Sequence, residues 1–254
     1  MTKSFVHLHA HTEYSMLDGA AKIVDYLKKV KELNQPAAAI TDHGNLYGAM
    51  EFVQKANDLG IKPIIGYEAY ITPGSRFDRP DRENNKRYHL TLLAENNIGY
   101  QNLVELVSKA YTEGYYYKPR IDYELLEQHH DGLIALSGCL GGELAQHLAP
   151  DGSVEEGNTS NERSFEKALE VAKKYQSIFG KNNYFIEIHN HGIKQQLDIL
   201  DDLVEIAEII EAPLVAANDS HYVEENGAEA HDALLCVQTN RTLDDESRFR
   251  FDGS

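Results

Sequence analysis

The 254-residue sequence predicts an α/β fold, a seven-stranded (β/α) barrel with its functional site at the carboxyl ends of the strands. Three observations predict it. Short apolar runs of strand length alternate with helical periods about seven times, the pattern of a parallel sheet with helices outside. No Gly-x-Gly-x-x-Gly follows the first strand, which favours a barrel over a dinucleotide-binding sheet. Residue types that bind metals, His43, Glu68, Cys139, Asp219 and His221, follow the carboxyl ends of expected strands. Barrels of this kind build their sites on that face.

Taken in order, residues 4–9 read as the first strand. Residues 20–34 read as a helix whose apolar stripe is Ile23, Val24, Leu27, Val30 and Leu33. Residues 37–40 form a second strand that runs into Thr41-Asp42-His43-Gly44. The next helix puts Leu46, Met50, Val53, Ala56 and Leu59 inward and ends at Gly60 as a C-cap. Residues 62–66 are the third strand and 72–87 a polar surface loop. Strand four, 88–94, begins at His89. Helices at 97–110 and 122–129 flank the run Gly114-Tyr115-Tyr116-Tyr117-Lys118-Pro119-Arg120. Strand five (132–136) leads to Cys139, and 149–160 reads as a second surface loop. A helix at 162–179, strand six (184–189), a helix at 193–210, strand seven (214–217) and a helix at 226–237 complete the alternation. Residues 238–254 form a polar tail.

Composition narrows the function. The chain has 24 basic and 41 acidic residues, a formal charge of −17. That argues against a nonspecific cationic nucleic-acid binder. It leaves open a nucleic-acid enzyme whose positive charge comes from bound divalent cations. Two cysteines, Cys139 and Cys236, make no disulfide framework, so a reduced, cytoplasmic setting is expected. No signal peptide and no apolar stretch of membrane-spanning length is visible, and no membrane partner is expected.

The chemistry concentrates at the start. His7, His9 and His11 alternate along an apolar run, which puts three imidazoles on one face of a strand. With His9, His11, Asp18, His43, Glu68, His89, Cys139, Asp219 and His221 as candidate ligands, the set is too large for one tetrahedral zinc. It suits two or three divalent ions, Zn, Mn or Fe, with Glu68 bridging. Clustered divalent ions promote hydrolysis of phosphate esters. Asp42 is expected to serve the catalytic site by orienting an imidazole. Arg120, with Lys118 and the tyrosine run, is expected to hold phosphate oxygens. Glu187, His189 and His191 alternate at the end of strand six as supporting or substrate-facing groups. His7 could support a ligand from one step deeper. His129, His130, His147 and His231 are expected at the surface or as caps, and Cys236 in the core.

His9-Ala-His11, Asp18, Thr41-Asp42-His43-Gly44, Glu68, His89, Cys139 and Asn218-Asp219-Ser220-His221 together resemble the motif set of the polymerase and histidinol phosphatase (PHP) family. Residues 11–20, 116–122 and 232–239 are similar to its replicative-polymerase branch. The resemblance covers essentially the whole chain, read as a single domain of residues 1–254. It implies a distorted seven-stranded (β/α) barrel and a trinuclear metal centre. It implies one ion held by His9, His11, Glu68 and Asp219, a second by Glu68, His89 and Cys139, and a third by Asp18, His43 and His221.

In that branch, members that keep all nine ligands are 3′→5′ exonucleases taken to proofread, and members that have lost ligands act as scaffolds. The intact set implies the active kind, acting on DNA as single-stranded or mismatched 3′ primer ends. Its partners would be the rest of a polymerase and the replisome subunits. Nothing up to Ser254 resembles a palm, thumb or fingers, so an isolated domain or a free-standing relative is expected. The alternatives are a small-molecule phosphatase of the histidinol-phosphatase kind and a non-catalytic module that steadies a polymerase.

Overall fold

A computed structural model describes residues 5–81, 84–149 and 163–248. Residue 4 of the expected first strand, nearly all of the 149–160 loop and the end of the tail lie outside the described residues. Among the described residues seven strands form one curled sheet: β1 (Ala37–Ile40), β2 (Lys62–Ile71), β3 (Tyr88–Ala94), β4 (Arg120–Ile121), β5 (Leu133–Leu136), β6 (Tyr184–Ile188) and β7 (Leu214–Ala216). The order is β1-β2-β3-β5-β6-β7, with the two-residue β4 paired to the end of β2.

Two features depart from a regular parallel barrel. Strand β3 runs antiparallel to both neighbours, β2 and β5, while the other pairs are parallel. Hydrophobic patterning carries no direction, so this reversal was invisible in the sequence. It has a functional consequence: the beginning of β3, with His89, lies at the same rim as the ends of its antiparallel neighbours β2 and β5.

The expected first strand is the second departure, because it forms no regular ladder. Instead the segment bridges the two ends of the sheet. Ala39 N donates to His7 O and Thr41 N to Ala10 O on one side. On the other, Ser220 N donates to His9 O and His11 N to Ser220 O. The irregular run thus sits between β1 and the residues after β7, with His9 and His11 at the rim.

Helices cover the outside: α1 (Ile23–Glu32), α2 (Ala49–Leu59), α3 (Asn97–Thr112), α4 (Tyr123–Gln128), α5 (Glu143–Leu148), α6 (Phe165–Phe179), α7 (Lys194–Asp198), α8 (Leu200–Ile210) and α9 (Ala228–Thr239). The expected 193–210 helix is broken at Ile199 into α7 and α8. The short β4 and α5 were not foreseen. Gly60 caps α2 in the left-handed conformation, as expected. The buried face of α2 is Ala49, Phe52 and Ala56, whereas Met50 is exposed. On α1, Tyr26 replaces the exposed Val24 and Leu33 in the expected stripe.

The main core joins Leu90, Leu92, Ala135 and Ile186 of the sheet to Leu103 and Leu106 of α3, Tyr175 of α6 and Ile206 of α8. A second cluster seats Ile23, Leu27 and Val30 against Ile40 and Phe52. These clusters fix the strands whose rim carries the site. No helix among the described residues is long and apolar enough to cross a membrane.

Candidate metal centre

The rim gathers all nine expected ligands. Glu68, near the middle of β2, is 1% exposed and lies at the centre. Its carboxylate oxygens are 3.2 Å from His9 Nε2, 3.5 Å from His11 Nε2, 2.6 Å from His43 Nδ1 and 3.1 Å from His89 Nδ1. Cys139 Sγ is 3.8 Å from both Glu68 Oε1 and His89 Nδ1. Asp219 Oδ1 is 3.3 Å from His9 Nε2 and 3.1 Å from His11 Nε2. Asp18 Oδ2 is 2.6 Å from His43 Nε2 and 3.2 Å from His221 Nε2.

Local backbone geometry aims these groups. Asp219 follows β7 in the left-handed region (φ +46), which Asp tolerates better than most residues. In that turn its own carbonyl faces His221 Nδ1 at 2.9 Å. Gly138 has φ +88, and a Cβ there would lie 2.9 Å from His89 O, so the turn carrying Cys139 can close against β3.

Hydrogen bonds fix which imidazole nitrogen points inward. Ser15 Oγ donates to Asp42 Oδ1 at 2.7 Å and is 2.9 Å from His11 Nδ1. The single hydroxyl proton goes to Asp42, so Ser15 accepts from His11 Nδ1–H. His11 Nε2 is left with its lone pair facing the cluster. His9 Nδ1 is 2.8 Å from Glu187 Oε1, and the same logic turns His9 Nε2 inward. His221 does likewise through the Asp219 carbonyl. A partner on the outer nitrogen is the usual arrangement around metal-binding histidines.

Electrostatics agree with a cation site. Burial opposes ionisation of Glu68, but His89, His43 and His9 hold it well below the usual carboxylate range. Asp219, likewise against burial, is held low by His9, His221 and His11, and Asp18 by His221 and His43. Burial works against charge on His43, yet Glu68 and Asp18 raise it to about 9. Burial, together with His43 and His221, pushes His11 down to about 3. Burial first, then Asp219 and Glu68, lifts the Cys139 thiol to about 12.

The donor set fits divalent ions. Buried His9 Nε2, His11 Nε2, His43 Nδ1, Glu68 Oε2 and Asp219 Oδ1 make no well-formed hydrogen bond among the described residues, although each lies 2.6–3.5 Å from at least one other of the five. Buried polar atoms are rarely left so, and cations shared among them would satisfy all five. Three groupings at the rim have donor atoms within 4.8 Å: His9, His11 and Asp219; His43, Glu68 and His89; His11, His43 and His221.

The remaining expectations fare differently. Asp42 is buried and accepts from Thr12 N, Thr12 Oγ1 and Ser15 Oγ, so it acts on His11 through Ser15 and does not face the ligands. Arg120 is a correction. It is fully buried and donates to the carbonyls of Gly114, Arg76 and Asp78 and to Asn85 Oδ1. It braces the 72–87 loop and has no face left for a phosphate.

Glu187 is fully buried beside the cluster. Besides His9, its carboxylate meets Gly138 N at 3.1 Å and His189 Nε2 at 3.0 Å. His9, Glu187 and His189 make a fourth close grouping. His7 turns away, packing between Phe5 and Tyr26. Ser15 escaped the sequence reading altogether. His231, expected at the surface or as a cap, is buried with its ring 5.6 Å from His221. Cys236 lies in the core as expected.

The PHP domain model matches residues 7–191, a span that carries the sheet through β6 and seven of the nine ligand-type side chains. The chain belongs to the PHP domain family. It is 50% identical over 251 residues to DNA polymerase III subunit alpha of Thermus aquaticus, a match covering 97% of this chain and 20% of that protein. It is 49% identical over 257 residues to the corresponding subunit of Deinococcus radiodurans, covering 98% of this chain and 18% of the relative. The chain therefore spans about a fifth of the length of these relatives. Among solved structures, a two-domain Bacteroides vulgatus protein described as containing a predicted PHP-like metal-dependent phosphoesterase superposes with a TM-score of 0.50 at 12% identity. That match covers 90% of this chain and 55% of the other.

Proposed function

We propose that this chain is a metal-dependent phosphoesterase that removes nucleotides from 3′ ends of DNA, the proofreading exonuclease module of a bacterial replicative polymerase working in the cytoplasm beside the replisome. The observation that carries this reading is the convergence of eight ligand-type side chains with Glu68, several of whose buried donor atoms lack a well-formed hydrogen bond among the described residues. The polymerase relatives supply the substrate class.

His9, His11, Glu68 and Asp219 would hold one ion, Glu68, His89 and Cys139 a second, and Asp18, His43 and His221 a third. Bound there, divalent cations supply Lewis acidity toward phosphoryl oxygens and make water a better nucleophile. The chain's own contribution is preorganisation. Glu187 and Ser15 lock His9 and His11 with Nε2 inward, and Asp42 fixes Ser15. His43 and Asp18, whose side chains are half-buried while His221 is buried, lie on the more open side of the cluster, where a phosphodiester would approach.

The test is digestion of 3′-mismatched and single-stranded primers with Mn or Zn, followed by chelation. Stepwise nucleotide release that stops on chelation is expected. Absence of release in either metal, with metal confirmed bound, would refute the exonuclease reading and leave a small-molecule phosphatase or a scaffold.

A further inference from the structure

The tyrosine run beside Arg120 has no part in the mechanism above, yet it borders the metal ligands. Tyr47, Tyr115 and Tyr117 are 58%, 54% and 64% exposed, and Tyr111 is 38% exposed. The rings of Tyr47, Tyr111 and Tyr115 form a continuous row, with centroids 6.5 Å and 6.1 Å apart. Tyr117 adopts φ +62, an outlying conformation for a bulky side chain, and stands edge-on to Tyr116. Backbone strain of this kind concentrates at ligand-binding segments.

Both ends of the patch are tied to the site. Tyr47 N donates to Asn45 Oδ1, while Asn45 Nδ2 donates to the carbonyl of His43. Lys118 Nζ donates to the Tyr70 hydroxyl at 3.2 Å. The Tyr70 ring in turn lies 6.0 Å from His43, nearly parallel, and 5.3 Å from His89, edge-on.

We infer that Tyr47, Tyr111, Tyr115 and Tyr117, with Lys118 and Arg79, form a stacking platform for single-stranded nucleic acid, feeding its terminal phosphodiester to the rim at His43 and His89. This inference rests on the exonuclease reading and names where the strand lies. The favoured occupant is a nucleic acid rather than a protein because of the charges. Among the described residues Lys118 has no carboxylate partner, and Arg79 donates only to the carbonyls of Arg76, Asp78 and Glu113. In a chain of net charge −17 these two cations stand beside the exposed rings and make a local basic, aromatic surface complementary to a polyanion. Aromatic rings with adjacent cations are the means by which proteins hold single strands without reading sequence.

The experiment measures fluorescence anisotropy of a fluorescein-labelled 15-nucleotide oligothymidylate with phosphorothioate linkages, in Mn²⁺, alongside exonuclease kinetics on the unmodified strand. Tyr115→Ala and Tyr117→Ala should each raise Kd about tenfold, since losing one base–aromatic stack commonly has that effect. Tyr115→Phe should restore binding, because the ring and not the hydroxyl stacks. Lys118→Ala should weaken binding and lower the salt slope by about 1. Tyr100→Ala, a half-exposed ring elsewhere on α3, serves as control and should leave Kd unchanged. An unchanged Kd in the Tyr115→Ala, Tyr117→Ala double variant would overturn the platform and assign the patch to a protein partner. Tyrosine-dependent binding by a protein that never cleaves the strand would uphold the platform and sink the exonuclease reading. Cleavage whose KM ignores the tyrosines would do the reverse.

Discussion

Glu187→Gln is the sharpest perturbation of the site that replaces no expected metal ligand. The Glu187 carboxylate accepts from His9 Nδ1 at 2.8 Å and from Gly138 N at 3.1 Å, one residue before Cys139. It therefore holds two ligand-bearing segments, the N-terminal run and the β5 turn, in one register. A glutamine has the same shape but a single acceptor oxygen. Either His9 or the Gly138 amide then faces an NH₂ group, and one buried donor loses its acceptor, at a cost of about 1–3 kcal/mol.

Loss of the outer partner of a metal-binding histidine commonly weakens metal affinity about 10–100-fold, equivalent to about 1.4–2.7 kcal/mol. Competition titration of Zn²⁺ or Mn²⁺ against a chromophoric chelator reads this directly. A pH series supplies a second readout. Burial opposes ionisation of Glu187, but His9 and His189 hold its pKa at about 2, below its ordinary 4.5. A depressed carboxylate stabilises the fold fully above its unfolded pKa and loses that contribution as pH falls toward the folded value. The metal-free parent should exceed the Gln variant by up to about 3 kcal/mol near neutrality, and the gap should narrow between pH 5 and pH 3. Metal affinity within twofold of the parent would refute the assignment of Glu187 as a positioning residue.

Three further outcomes follow from the same geometry. Ser15→Ala removes the acceptor for His11 Nδ1–H, so metal affinity in the same titration should fall about tenfold. Arg120→Lys should leave metal affinity intact but destabilise the fold by about 3 kcal/mol, because a lysine cannot replace hydrogen bonds to four acceptors; denaturant unfolding and the chelator titration together check it. Metal uptake at pH 7 should release protons into weakly buffered solution and strengthen as pH rises, since His43 (about 9) and Cys139 (about 12) must both shed theirs. Uptake without proton release would mean these two side chains are not ligands.

Much of the candidate site was legible in the sequence because its residue types are rare in apolar strands and, apart from Glu68, which lies inside a β2 that runs on to Ile71, fall at or beyond strand ends or on the N-terminal run. The His9-Ala-His11 alternation survived even though its strand is irregular, since the segment is still extended where it bridges β1 and the Ser220 turn. Direction was not legible. Alternating hydrophobicity reads the same from either end, and only the pairing of β3 with β2 and β5 shows that it is reversed. Arg120 misled because composition cannot tell an arginine that meets phosphate from one that braces carbonyls. Ser15 carried no signal at all, because its role depends on Asp42 and His11 meeting across the fold. His231 was misjudged because α9 packs its ring beside His221, a contact no local pattern encodes.

The account stands or falls on several cations sharing this rim. Anomalous X-ray diffraction from crystals loaded with Mn²⁺ or Zn²⁺ tests that most directly. Two or three peaks should lie among His9, His11, Asp18, His43, Glu68, His89, Cys139, Asp219 and His221, with Glu68 contacting two of them. Peaks confined to surface carboxylates, with none beside Glu68, would contradict it.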